Sequence, residues 1–528
     1  MGKYLTKRIL FSIFSLLVVV MVVMMLVYNL INRSVIFQTD DTWNKKNGND
    51  RTYYEYMQYQ RFGYLKFANY NDFAANKFKE LLGEDQYSKS SEFTSARNAI
   101  KKPKTYLEDE TVKDFIAYYE NEGYEIIYLA PETYANGKLK PGSTPYLIAV
   151  KENGPLVRLW EYIKGFVSFE STSDVDDPAL TDEMRGIKVE NDPYGWFAIT
   201  GSGTTHKYLL YFDGHFPFIH QNWMHINLGV SFTKYRGQEI STVITLPSGE
   251  IKSYSQQYPN FVGTDRYDDT AIDFHSLTYN PVTSLADKEL FPDNYTSYTY
   301  HREGLSMLEM SFVVGLIAVL IAYVVGLPLG ILLAKRKDKL ADKIGSFYIV
   351  FIMAVPSLAY IFIFAALGTK LFDLPYKYAN DKIAAVGLIL PTISLALKDI
   401  GALMKWMRRY MIDQMNSDYV KFARASGLSE GEIYRKHISK NALIFLVHGI
   451  PASILGCLVG AIITESVYAV PGVGNLLTNA INGHDNGVII ACTVFYTSIS
   501  IISVILGDLL LAKYDPRISL SSDKGGGR

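Results

Sequence analysis

Long apolar runs at 9–31, 308–334, 344–368, 383–403, 443–468 and 488–512 decide what this chain can fold into. Each reaches the roughly 20 residues that a helix needs to cross a bilayer. In lipid the backbone must satisfy itself, so each run is committed to helix. The expected architecture is an α-helical polytopic membrane protein with six transmembrane helices. Between the first two runs lies a long charged middle, an inserted α+β domain at 32–304.

Charge fixes a topology. Residues 32–306 carry a net charge of -10 and the rest of the chain +9. Basic clusters fall at 3–8, 335–343, 405–440 and 513–528. Six spans with both termini inside put all of these clusters in the cytoplasm, as the positive-inside rule requires. The inserted domain then faces outward, with the 469–487 loop and the short loop near 369–382. The first run is too long for the apolar core of a signal peptide, and no small-residue cleavage site follows it. It reads as an uncleaved anchor. The expected division is a tail and first span at 1–31, an extracellular domain at 32–304, a membrane core at 305–514 and a cytoplasmic tail at 515–528. Cys457 and Cys492 both lie in apolar runs, so no disulfide framework holds the inserted domain. That fits a bacterial cell membrane. About 275 residues suffice for a core without staples.

Up to about residue 125 the inserted domain reads as helical, including the stretch YYEYMQYQRFGYLKFANYNDFAANKFKELL. YEIIYLA, PYLIAV, HKYLLYF and STVITL read as strands. The GSGTTHK run at 201–207 lacks phosphate-loop spacing and reads as a turn. Asp174, Asp176, Asp177, Asp182 and Glu183 form either a cation site or a solvated loop. His215, His220 and His225 recur every five residues, which is not the spacing of a helical metal pair. Phe216, Phe218 and Trp223 suit a segment touching lipid headgroups.

The polar stretch 416–442 reads as two short helices with a hinge. Asn416 or Ser417 can cap the first, with Asp418 in its first turn. Gly427 supplies a left-handed residue to close it. Ser429 opens the second, with Glu432 completing a capping box. Lys421 and Arg424 offer charge-assisted contacts to another surface, and Ala423, Ala425, Ser426 and Gly427 permit close approach. The bland alternative is a basic loop on anionic lipid.

Gly326-Leu327-Pro328, Pro356, Pro391 and Pro451 punctuate the spans, as in a bundle of bent helices. Glu309, Glu465 and Asp508 lie within or at the ends of spans, where acids often mark a pathway. The alternative for Glu309 and Glu465 is local capping or pairing near the outer interface. VPGVG at 470–474 reads as a tight turn ending the fifth span. No nucleotide-binding phosphate loop, HExxH, paired CxxC or GxSxG occurs, so the chain is not expected to be an enzyme. Six spans and a basic hairpin inside the cell suggest transport powered by a partner.

Several motifs resemble the B-type permeases of oligopeptide ABC importers, the type I permease fold. Asp418-Tyr419-Val420, Ala423-Arg424-Ala425, Gly427-Leu428-Ser429 and Asn441-Ala442-Leu443 are similar to that family's coupling loop. Gly326-Leu327-Pro328-Leu329-Gly330, Glu465-Ser466-Val467, Pro471-Gly472-Val473-Gly474, Asp515-Pro516-Arg517, the N-terminal YLTKRIL and Asn227-Leu228-Gly229-Val230-Ser231 with Gly237 and Ile240 also match. Lys421-Phe422 and Ile444-Phe445 depart from the broader pattern. The long first external segment resembles the Ami-type permeases of streptococci, which implies a Gram-positive source.

The resemblance implies a transmembrane subunit that forms half of an oligopeptide pathway. Its partners would be a homologous second permease, two cytoplasmic ATPases and an extracellular lipid-anchored peptide-binding protein, all in membrane lipid and without nucleic acid. This chain would bind no cofactor; ATP and Mg would sit on the ATPases. Asp418, Tyr419, Lys421, Ala423, Arg424, Ala425, Gly427, Leu428, Ser429 and Glu432 are the expected ATPase-coupling residues. Glu309 and Glu465 are the candidates for the pathway. The rivals are a mechanotransmitting ABC permease and a membrane receptor whose ectodomain binds a partner.

Overall fold

A computed structural model describes residues 2–30, 32–136, 138–212, 218–247, 249–272, 278–297, 299–378 and 384–514. His215, Phe216 and the Asp515, Pro516, Arg517 motif lie outside the described residues, as do 379–383 of the loop after the third run. The chain begins with α1 (Gly2–Leu30), whose apolar span is Thr6–Asn29.

The inserted domain has two lobes. The first contains α2 (Gly48–Arg61), β1 (Leu65–Asn69), α3 (Tyr70–Leu82), α4 (Ser91–Ala99), α5 (Glu110–Asn121), β2 (Glu125–Leu129) and β3 (Tyr146–Glu152). Its antiparallel sheet has the order β1-β3-β2. Tyr70, Val112, Phe115 and Leu147 fill the space between sheet and helices. β1 corrects the expectation of helix through this stretch. Gly63 takes a positive φ of 76°, and Tyr64 N turns back to Tyr59 O at 2.9 Å. The helix stops there, and Leu65 to Asn69 pair with β3.

α6 (Pro155–Lys164) then leads into a two-stranded ribbon of β4 (Val167–Phe169) with a later strand. The second lobe is an antiparallel sheet of β5 (Gly186–Asn191), β6 (Phe197–Ser202), β7 (Tyr208–Phe212) and β8 (Ile219–Gln221), in sequential order. Ala198, Tyr208, Tyr211, Tyr258, Phe291 and Tyr295 form its core. In GSGTTHK, Gly201 and Ser202 end β6 and the rest turns into β7. β9 (Met224–Ile226) returns to complete the ribbon with β4.

STVITL is not a strand. It forms α7 (Ile240–Thr245). Ile240, Val243 and Ile244 are buried together against the membrane bundle. That i, i+3, i+4 pattern serves one apolar neighbour, and packing outweighs the β preference of its branched residues.

The bundle follows: α8 (Met307–Lys335), α9 (Leu340–Ala354), α10 (Ser357–Phe372), α11 (Ile389–Met415), α12 (Asp418–Ala425), α13 (Glu430–Val447), α14 (Ile450–Val459), α15 (Ile462–Tyr468), α16 (Val473–Asn482) and α17 (Asn486–Tyr514). Among the described residues, four helices are each long and apolar enough to cross a membrane: α1, α8, the helix ending at Met415 and α17. Two bent pairs raise the count to six if each is one span. The run at 344–368 is thus not one straight helix. α9 and α10 meet at 113°. Pro356 removes a backbone donor, and Val355 before it is forced extended (ψ 131°). The 443–468 run is also divided. α13 bends by 40° into α14, and Gly460 ends α14.

α8 and α11 form the centre of the bundle. Gly326 and Gly330 on α8 face the Ile400 and Met404 backbone of α11, so the two helices approach closely. At the far end of α8, Arg408 on α11 makes a bidentate pair with the buried Asp342 of α9, at 2.6 and 2.8 Å. Asp508 on α17 pairs with Arg8 on α1 at 2.7 Å, so this acid closes a helix contact.

Beside the packing of α7, a hydrogen-bonded junction fastens the inserted domain to the bundle. Asp485, buried between α16 and α17, accepts from Ser231 Oγ (2.6 Å), Phe232 N (2.9 Å) and Thr233 N (2.9 Å). Phe232 stacks on Phe62 of the first lobe at 4.2 Å. Arg236 pairs with the buried Asp40. The segment 227–240 therefore belongs to both bodies at once.

Candidate functional site

The hairpin 416–442 sits at the opposite end of α8 from the inserted domain. Met307 packs with Leu228 and Ile240, whereas Ala334 packs with Val420 and Ala423. A helix of 29 residues separates these ends by about 43 Å at 1.5 Å per residue.

α12 lies on the bundle through Val420 and Ala423, which bury against Met407, Met411, Ile433 and Ile438. Ser417 holds the N-cap position but its side chain does not cap. Its Oγ donates instead to Gln414 O at 2.6 Å, closing α11. Tyr419 Oη donates to Gln414 Oε1 at 2.7 Å, and Leu428 is partly buried under the turn. Gly427 closes α12 with φ 78°, donating its N–H to Arg424 O at 3.0 Å. Ser429 Oγ accepts from Glu432 N at 3.3 Å and donates to Glu432 Oε2 at 3.0 Å, which anchors the start of α13.

Two expectations change. The second helix is not short: α13 runs on through Val447 into the fifth apolar run. A π-helical turn at Ile433–Ile438 lies within it. A push on the hairpin therefore reaches the bundle through continuous helix. Nor are the basic side chains free. Arg424 grips Glu430 at 2.6 and 3.3 Å, and Lys421 reaches Asp418 at 2.8 Å, holding that carboxyl below the usual range. Ala423 faces inward, while Ala425, Ser426 and Gly427 are exposed. The prominent apolar group on the exposed face is Phe422, 74% exposed. In the sequence Phe422 stands out only as half of a departure from a motif.

Within the bundle, α8, α11, α14 and α15 enclose a cavity of about 440 Å³. Ser311, Tyr323, Asp399, Ser453 and Glu465 supply polar groups to an otherwise apolar wall. Glu309 is not among its lining. It forms a capping box with Ser306, its Oε2 accepting from Ser306 N at 2.6 Å. Glu465 is 2% exposed and lies at the cavity's edge. It accepts from Ser311 Oγ (2.9 Å), Ala461 N (2.9 Å) and Asn475 N (3.1 Å). Gly472 makes room for it, since a Cβ there would lie 2.3 Å from Glu465 Oε2. VPGVG is thus the turn that wraps this carboxylate.

Asp399 differs from both. It projects from α11 into the cavity, and among the described residues its carboxylate makes no hydrogen bond or ion pair. It was legible as an acid inside the 383–403 run. The adjacent Lys398 masks it as the polar edge of a span.

In the inserted domain, among the described residues, no group of three or more His, Cys, Asp or Glu could hold a metal. Asp177 instead accepts from Tyr279 Oη (2.9 Å) and Asn294 Nδ2 (3.2 Å), tying loops of the second lobe together. His220 stacks on Tyr211, and His225 lies 3.3 Å from Glu239.

A multi-pass helical bundle with a hairpin continuous with one of its helices, and a cavity carrying a few polar groups, is the architecture expected of a membrane permease. Residues 326–520 match the family described as binding-protein-dependent transport system inner membrane component. The chain belongs to this family of ABC transporter permeases, as a full-length relative shows. It is 32% identical, over 535 residues and 100% of both chains, to the oligopeptide transport system permease protein AmiC of Streptococcus pneumoniae. It is also 32% identical over 213 residues, 40% of this chain and 68% of the relative, to the dipeptide transport system permease protein DppB of Bacillus subtilis. A methionine ABC transporter in an inward-facing conformation aligns over 40% of this chain and 94% of its own, with TM-score 0.32 and 14% identity. A permease of this family is a transport subunit and not itself an enzyme.

Proposed function

We propose that this chain forms one half of the translocation pathway of an ATP-driven oligopeptide importer. The observation that carries the reading is the hairpin. Its exposed face presents Phe422 beside a turn braced by Arg424 and Glu430, and its second limb is continuous with a membrane helix. An element built this way receives a rigid-body movement and passes it on. Two ATPases holding ATP and Mg dock at the two hairpins of a permease pair, this chain and a homologous second permease. The basic clusters support an orientation with both termini in the cytoplasm and the inserted domain outside, in the plasma membrane of a Gram-positive cell. A lipid-anchored peptide-binding protein delivers oligopeptide at the inserted domain's side. Asp399, more than Glu309 or Glu465, is the side chain positioned to meet a passing peptide, because among the described residues its carboxylate has no hydrogen-bond or ion-pair partner.

Purification of the intact complex from native membranes tests this reading. The expected co-purifying subunits are a second permease, two ATPases and a peptide-binding protein. Recovery of this chain alone, or with a signalling protein and no ATPase, overturns it.

A further inference from the structure

α6 carries a surface that the transport reading leaves unused. At about 100° per residue its ten residues divide into three sides. Arg158, Leu159 and Tyr162 form the first, which faces the protein. Leu159 and Tyr162 pack on the cluster containing Val20 and Met24 of α1. Arg158 stacks over Tyr28 at 4.7 Å and donates to Tyr64 O at 3.2 Å. The second side holds Leu156, Trp160 and Ile163, within about 60° of one another. They are 72%, 63% and 36% exposed. The third holds the exposed charges of Glu161 and Lys164, with Val157 beside them.

A helix between protein and water needs two kinds of side. A third, apolar side calls for a third medium. The position of α6 says which. It meets α1 at a crevice lined by Met24, Met25, Tyr28, Asn29, Pro155 and Arg158. These α1 residues are the last of the apolar span Thr6–Asn29. That is the level of the acyl–headgroup boundary. Met25 and Leu26 of α1, in the same turn that lines the crevice, are themselves exposed. A Trp in the apolar stripe with Lys and Glu on the flank is the composition of a helix lying in that boundary. The ribbon that follows α6 extends the apolar exposure. Val167 and Phe169 pair with Ile226 and Met224 on one of its faces.

We propose that α6 is an interfacial foot that seats the inserted domain in the bilayer, with Leu156, Trp160 and Ile163 inserted among lipid acyl chains. It adds a hold on the membrane to the contacts that Asp485 and α7 make with the bundle. The domain's height above the pathway is then set by α1 and by the lipid together.

Site-directed spin labelling of the whole transporter in nanodiscs tests this. Labels are placed singly at positions 156, 160, 161, 163 and 164; Cys457 and Cys492 are buried, and the unsubstituted chain is the control. The expected result is a ratio of oxygen to water-soluble nickel-chelate accessibility several-fold higher at 156, 160 and 163 than at 161 and 164. Equal nickel access at all five positions means a solvated helix and overturns the proposal. Immobile labels shielded from both reagents mean a protein partner covers the face, and overturn it equally. A label-free arm guards against damaged variants. Brominated lipid should quench a component of tryptophan emission that W160F removes; a component quenched only by aqueous acrylamide contradicts insertion.

Discussion

Arg424 on one limb of the hairpin and Glu430 on the other are joined by two hydrogen bonds, 2.6 and 3.3 Å, across the left-handed Gly427. The pair closes the angle between a short helix that rests on the bundle and a long one that enters it. Both groups are exposed, so their worth lies in geometry more than in stability. R424A and E430A are each expected to lower substrate-stimulated ATPase activity while leaving the chain folded. The double charge swap, R424E with E430R, is expected to recover most of it. ATPase assays of the reconstituted transporter decide; a swap no better than the single variants would mean that Arg424 serves an outside partner.

Gly427 provides a graded test of the same hinge. A Cβ at this position meets nothing within 4 Å, so G427A costs only the left-handed strain, about 1–2 kcal/mol. It should retain reduced uptake. G427P is incompatible with a φ of 78° and removes the donor to Arg424 O. It should insert normally in the membrane yet show neither uptake nor stimulated ATPase activity. Uptake and surface expression measured side by side separate coupling from folding.

The two cavity carboxylates should fail in different ways. E465A leaves the donors of Ser311, Ala461 and Asn475 buried without an acceptor, at about 1–3 kcal/mol for each group that water does not reach. A lowered melting temperature of the purified transporter is expected. D399N alters a carboxyl group that, among the described residues, makes no hydrogen bond or ion pair. It should leave the melting temperature unchanged and lower the uptake rate several-fold. The opposite pattern, with D399N unstable and E465A merely slow, would reverse the assignment.

Much of this was legible in the sequence. The apolar runs locate the spans, and Gly427 and Ser429 locate the hinge, because both are local signals. The rest depends on what packs against what. The run at 344–368 hides a 113° break, since hydropathy does not register direction, although Pro356 marks the place. STVITL looks like a strand until the bundle gives Ile240, Val243 and Ile244 one apolar neighbour. Ser417 looks like a cap until Gln414 O claims its hydroxyl. Asp399 and Glu465 are equally visible as acids. Only the fold reveals that one is fully engaged and the other is not.

Asp485 holds the inserted domain to the bundle, which gives a prediction about that junction. D485A removes the acceptor for Ser231, Phe232 and Thr233 together. Each buried donor left unsatisfied costs about 1–3 kcal/mol. Hydrogen exchange in 227–239 should accelerate by at least about tenfold, while the hairpin at 416–442 is unaffected. Unchanged protection in 227–239 would show that the segment's other contacts, Leu228 packing, Phe232 stacking and the Arg236–Asp40 pair among them, suffice.

The docking role of the hairpin is tested most directly at Phe422. It is 74% exposed and leaves the bundle's packing untouched when replaced. A photoreactive phenylalanine analogue at position 422, irradiated in the intact transporter, should form a covalent adduct with an ATPase subunit, and the yield should change between nucleotide-free and ATP-bound states. An adduct with lipid alone, or none with an ATPase in either state, would contradict the account.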